Sequence, residues 1–185
     1  LKQISEKFVL IQVMRLTQIK KPYILIELMK KLREKDKNIV LVLIGGGPLE
    51  NKFRQKVEAN NLSESIFLLG PIYDNDVLAS LYKFADISVV PTCIGLTAHQ
   101  SLSHNVPVVT DDSVINQASE FEILNDGYNA RIYKEGNIDS LVDIIEDLSS
   151  TPKSLERLKQ NTRPSLDKYS MKIKVANFIR AIESL

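Results

Sequence analysis

Short apolar runs alternating with longer amphipathic segments predict an α/β fold: a Rossmann-like, doubly wound parallel sheet of about six strands, with helices on both faces and extra helices at the C-terminus. Two further observations support it. Glycine turns follow the runs at Gly45 and Gly70, and the runs are nearly continuously apolar rather than alternating, as strands buried on both faces are. At 185 residues the chain is one domain of ordinary size, taken as a single unit over 1–185.

Phe8–Val13 reads as the first strand. Pro22 to Glu34 follows as a helix, with a stripe of Ile24, Leu25, Leu28, Met29 and Leu32 opened by proline. Ile39–Ile44 is a second strand, stopped by Gly45-Gly46-Gly47-Pro48, and Leu49 to Asn60 a polar-faced helix. Ile66–Leu69 is the third strand, Asn75 to Phe84 a helix, and Ile87–Val90 the fourth strand. A helix begins near Leu96, and Val106–Val109 and Ala130–Tyr133 supply the last two strands. Asn137 to Leu148 is amphipathic. Helices from Pro152 to about Leu166 and from Met171 to Leu185 are expected to pack on the sheet. Such alternation implies right-handed crossovers.

Composition removes several functions. Lys and Arg total 24 against 23 acidic residues, so no global charge favours nucleic acid or an anionic membrane. The single cysteine, Cys93, forms no internal disulfide. His99 and His104, the only histidines, are five apart and miss the i, i+4 spacing of paired zinc ligands, so no metal site is expected. No apolar run approaches the ~20 residues needed to cross a bilayer. The chain opens at Leu1 without methionine, and a strand begins almost at once, so it reads as part of a longer protein.

Pro91 to Val109 is the most informative stretch: strand, a turn at Gly95, a helix start, strand again. That geometry turns backbone N–H groups and small hydroxyls toward a ligand at the carboxyl ends of parallel strands, and favours an anionic or polar one. Leu96 and Thr97 lie at the helix start, where Thr97 is either a ligand contact, a helix cap, or both. Arg15 and Lys20 follow the first strand. Arginine grips phosphate oxygens in pairs and lysine acts as a point charge; on residue type alone, a solvated loop is an equal alternative. Three consecutive glycines permit close backbone approach, with Gly45 and Gly46 near the ligand and Gly47 serving the turn. This is no dinucleotide fingerprint, because the third glycine of G-x-G-x-x-G falls on Glu50, which disfavours a nicotinamide-dependent oxidoreductase. No phosphate-loop G-K-[ST] follows either.

Gly95-Leu96-Thr97-Ala98 with Pro107-Val108-Val109, Arg15-Leu16 with Lys20, Gly45 to Leu49, and Glu122-Ile123-Leu124-Asn125-Asp126-Gly127 together resemble the group 1, family-four-type retaining glycosyltransferases. The resemblance covers about Phe8 to Tyr169. It implies the donor-binding, C-terminal half of an enzyme with two facing Rossmann-like domains, the GT-B fold, whose N-terminal acceptor domain lies outside this chain. It further implies a UDP- or GDP-sugar donor, no cofactor and no metal, a hexosyl group moved with retention to a glycan or lipid-linked acceptor in surface polysaccharide synthesis, and a cytoplasmic location with the full-length protein peripherally at the inner membrane face. Carried over, Arg15 and Lys20 neutralise the departing diphosphate, and Gly95, Leu96 and Thr97 bind a phosphate oxygen. The family's paired glutamates fall on Thr92 and Gln100. Gln100 can still exchange hydrogen bonds with ribose hydroxyls, whereas Thr92 has no charge and a shorter reach. Glu120 and Glu122 are the candidate substitutes, with a solvated loop as the alternative. Asp111 and Asp112 read as loop or helix-start acids. Loss of both glutamates keeps a second function open: a non-catalytic nucleotide-sugar-binding or interaction module.

Overall fold

A computed structural model describes residues 6–35 and 38–184. Six parallel strands form one sheet in the order β3-β2-β1-β4-β5-β6: β1 Phe8–Val13, β2 Ile39–Ile44, β3 Ile66–Gly70, β4 Ile87–Val90, β5 Val108–Asp111 and β6 Ala130–Tyr133. Chain direction across the sheet reverses between β1 and β4, which is where such sheets bind ligands.

Helices α1 Tyr23–Lys35, α2 Glu50–Ala59 and α5 Ile138–Ser150 cover one face. There Leu25, Leu28, Phe53, Leu141 and Ile145 pack on Leu10, Leu41, Leu43 and Val89. On the other face, Leu78 and Tyr82 of α3 (Asn75–Tyr82) meet Val9, Ile11, Val40 and Val42, and Ala98 and Leu102 of α4 (Thr97–Ser103) meet Val90 and Val108. Successive strand residues thus feed opposite cores, and β2 is buried along its whole length, which explains its unbroken Ile-Val-Leu-Val-Leu-Ile.

Several boundaries differ from expectation for identifiable reasons. β5 starts at Val108 rather than Val106, because Val106 N–H bonds back to the Ser101 carbonyl of α4 and Pro107 has no N–H to give. It then runs on through Thr110 and Asp111, which pair with Ile132 and Tyr133. Asp111 is therefore a buried strand residue, not a loop acid, while Asp112 stays in the loop and accepts from the Glu135 N–H. Asp74 caps α3 by accepting from the Asp76 and Val77 N–H groups.

The C-terminal helices do not both lie on the sheet. Helix α6, Pro152–Asp167, runs along the edges of α4 and α5, with Leu155 and Leu158 in one core and Leu166 against another. Helix α7, Met171–Glu183, leaves Val175, Phe178, Ile179 and Ile182 exposed; Leu185, expected to close it, lies outside the described residues. No helix of the described residues is long and apolar enough to cross a membrane.

Candidate donor-binding site

At the carboxyl ends of β1, β2 and β4 lies an open cleft of about 710 Å³. Its walls include Arg15, Lys20, Gly45, Gly46, Gly47 and Thr97, so residues 82 positions apart in sequence (Arg15 to Thr97) converge on the switch point.

The floor is built by two loops that prolong strand pairing. Met14 N–H donates to the Ile44 carbonyl at 2.9 Å and Leu16 N–H to the Gly46 carbonyl at 2.9 Å, while Leu49 N–H returns to the Leu16 carbonyl at 3.1 Å. This packing explains two of the three glycines. Gly45 has φ +131°, and a Cβ there would stand 1.9 Å from the Met14 carbonyl oxygen. Gly47 has φ +150°, and its Cβ would stand 2.7 Å from the Leu16 oxygen. The close approach at Gly45 is thus to the protein's own backbone as well as to the cleft. Gly46 has ordinary φ, and its Cβ would crowd the flexible carboxylate of Glu50 at 2.9 Å and otherwise make ordinary contact with Pro71.

Thr97 is not a side-chain cap. Leu96 occupies the cap position, and Thr97 Oγ1 donates to the Val13 carbonyl at 3.2 Å, tying the start of α4 to the end of β1. The loop between β4 and α4 is pinned at three of its carbonyls. Pro91 carbonyl accepts from the buried Tyr133 hydroxyl at 2.7 Å, and Ile94 carbonyl accepts from Ala118 N–H at 3.0 Å. Lys20 Nζ donates to the Cys93 carbonyl at 2.5 Å. Cys93 itself has φ +55°, unusual for a residue other than Gly, Asn or Asp. Lys21, next to Lys20, bonds Glu135 at 2.8 Å, which raises the lysine and lowers the carboxyl.

Burial raises the Asp111 carboxyl above the usual range. The neighbouring Thr92 hydroxyl offsets part of that rise, although it is not aligned as a formed hydrogen bond. Thr92 is 1% exposed and faces the protein interior.

The remaining expected residues lie elsewhere. Leu96, Gln100 and Glu120 line a second cleft of about 710 Å³ beyond the start of α4, together with His99 and Tyr169. Gln100 Oε1 accepts weakly from the Tyr82 hydroxyl at 3.5 Å. Gly95 and Glu122 line neither cleft; Glu122 is exposed, and its carbonyl accepts from the Tyr169 hydroxyl at 3.1 Å. A third groove, between α1 and α2, holds none of the expected residues. Among the described residues, no group of three or more His, Cys, Asp or Glu is placed to hold a metal ion.

Sequence reading missed Glu50, Ile72 and Tyr73, which also line the first cleft. The signal was present: Gly70-Pro71 ends β3, so the next residues reach the same sheet edge as the other loops.

The model for glycosyl transferases group 1 matches residues 2–164. An uncharacterised glycosyltransferase of Methanocaldococcus jannaschii is 31% identical over 114 residues, which is 58% of this chain and 27% of that protein. Among solved structures, Anabaena HepE in complex with UDP superposes with a TM-score of 0.82 at 17% identity, over 98% of this chain and 50% of that one. TarM from S. aureus gives 0.82 at 20% identity, over 95% and 35%. The C-terminal domain of the group 1 protein LpcC from Francisella tularensis gives 0.76 at 24% identity, over 92% and 90%. The chain spans about a quarter of the curated relative and between a third and a half of HepE and TarM. With a family match over residues 2–164, nearly its whole length, this chain belongs to the group 1 glycosyltransferases.

Proposed function

We propose that the chain is the donor-binding, C-terminal domain of a two-domain retaining glycosyltransferase, and that the first cleft holds the diphosphate of a UDP- or GDP-sugar. One observation carries this: two cations, Arg15 and Lys20, stand with the glycine turn at the switch point of a sheet belonging to this family. Arg15 grips the diphosphate and Lys20 neutralises the charge that develops as it leaves, which is where a fixed cation lowers the barrier most. The start of α4, at Leu96 and Thr97, separates this cleft from the second. A nucleotide reaching Gln100 passes around it.

HepE has been crystallised with UDP and with UDP-glucose, which supports a uridine nucleotide. The extent of the LpcC domain supports the reading as a C-terminal half. Sugar transfer then needs an N-terminal acceptor domain, so this chain alone binds donor and transfers nothing. In the whole protein the acceptor is a glycan or lipid-linked sugar of surface polysaccharide synthesis, met in the cytoplasm at the inner membrane face.

The test is calorimetric titration with UDP, GDP and ADP, with and without EDTA. One uridine or guanosine diphosphate binds with the same affinity in both conditions. Absence of binding to all three refutes the donor reading. A loss of more than tenfold in EDTA, about 1.4 kcal/mol, refutes metal independence.

A further inference from the structure

Lys20 is the end of a chain of hydrogen bonds. Its ammonium donates to the Cys93 carbonyl at 2.5 Å, and the N–H of that same peptide unit, which belongs to Ile94, donates to Gln117 Oε1 at 2.7 Å. Gln117 Nε2 in turn donates to Asp111 Oδ1 at 2.6 Å and to the Asp111 carbonyl at 3.0 Å. The chain runs head to tail: carboxylate, side-chain amide, peptide unit, ammonium. Every dipole is aligned, with the negative charge at the buried end of β5 and the positive charge in the cleft. Aligned bonds in a region of low dielectric polarise one another.

The peptide unit in the middle needs holding. Cys93 sits at φ +55°, a conformation that persists in such a residue only where its surroundings over-determine it. The contacts from Tyr133 and Ala118 fix the Pro91 and Ile94 carbonyls, but the N–H of the Cys93–Ile94 unit is held by Gln117. If that unit rotates, the Cys93 carbonyl turns away and Lys20 loses its anchor.

We infer that Gln117, backed by Asp111, is a positioning residue for Lys20. It orients the Cys93–Ile94 peptide so that one ammonium hydrogen is held by the protein and two remain for the oxygens of a bound diphosphate. The inference rests on the donor reading above. It acts through Lys20, so its effect disappears when Lys20 is removed.

The experiment is a double-mutant cycle on this chain, read by calorimetry with UDP and GDP: wild type, Gln117→Met, Lys20→Met and the pair. Gln117→Met weakens binding about tenfold, whereas in the Lys20→Met background it changes nothing further. Unchanged affinity in the single variant, or full additivity in the pair, overturns the inference. Should Gln117→Met fail to fold, Asp111→Asn replaces it, keeping the shape and an acceptor while removing the charge; the same non-additivity with Lys20→Met is expected, and additivity overturns the inference equally. A ligand-free measurement separates the two levels. Nitrogen NMR of the Lys20 ammonium shows slowed proton exchange in the wild type and fast exchange in Gln117→Met. If wild type binds neither diphosphate, the donor reading fails by itself, and an unchanged Lys20 signal overturns the positioning role independently.

Discussion

Replacing Gly45 with alanine tests whether the floor of the cleft is set by backbone contact. At φ +131° an L side chain is strained, at a cost of about 1–3 kcal/mol. The new Cβ also lands 1.9 Å from the Met14 carbonyl oxygen. That oxygen cannot swing aside as a side chain would, because Met14 and Leu16 are held to Ile44 and Gly46 by two bonds of 2.9 Å. Overpacking of this kind adds about 1–3 kcal/mol. The sum, about 2–6 kcal/mol, lowers the melting temperature by roughly 5–20 °C in a chain of this size. Two controls separate the terms. Gly127→Ala has φ +71° and open space around its Cβ, so it carries the backbone cost alone, about 1–2 kcal/mol. Gly46→Ala has ordinary φ, crowds only the movable Glu50 carboxylate and makes ordinary contact with Pro71, so it stays within about 0.5 kcal/mol of wild type. Urea unfolding and calorimetric melting give all three values. Gly45→Ala costing no more than Gly127→Ala would falsify the contact argument.

The other expectations concern the site. Changing Arg15 and Lys20 together to alanine weakens nucleoside diphosphate binding by about 2–4 kcal/mol, the loss of two charge-assisted contacts, and calorimetry showing unchanged affinity removes them from the diphosphate. Thr92→Ala shifts UDP affinity by less than about 0.5 kcal/mol because its side chain faces the interior; Gln100→Glu keeps or tightens it, since a carboxylate accepts more strongly from ribose hydroxyls. Abolished binding in Thr92→Ala, with none lost in Gln100→Ala, reverses the register of this segment. His104 stacks on Tyr82 at 4.9 Å, and burial, with Arg163 and Lys83 nearby, holds its imidazole below the ordinary 6.5. The unfolded chain therefore takes up that proton first, and stability is lost as pH falls from about 6.5 through the folded value. Melting temperatures between pH 7.5 and 5.5 fall less in His104→Phe than in wild type; parallel curves refute the assignment.

The strand runs show how much was legible. Ile39–Ile44 is apolar at every position, only six residues long and stopped by three glycines, as a strand covered on both faces is, so the central sheet was readable before any contact was known. Arg15, Lys20 and the glycines were readable for the same reason: each follows a strand, and parallel order brings all strand ends to one edge. The starts of β5 and α4 were less so. Their limits depend on the Val106 bond to Ser101 and on the Thr97 bond to Val13, which join segments that local periodicity treats separately.

Local chemistry therefore determined the class of fold, the sheet edge at which the first cleft opens, and the cations placed there, because these follow from periodicity and from where strands end. Which glycines the fold requires, that Thr92 faces inward, that Gln100 and Glu120 line a different cleft from Arg15, and that Gln117 reaches Lys20 through one peptide unit were decided by tertiary structure alone. Side-chain direction and backbone approach are set by contacts between residues tens of positions apart, and no spacing along the chain encodes them.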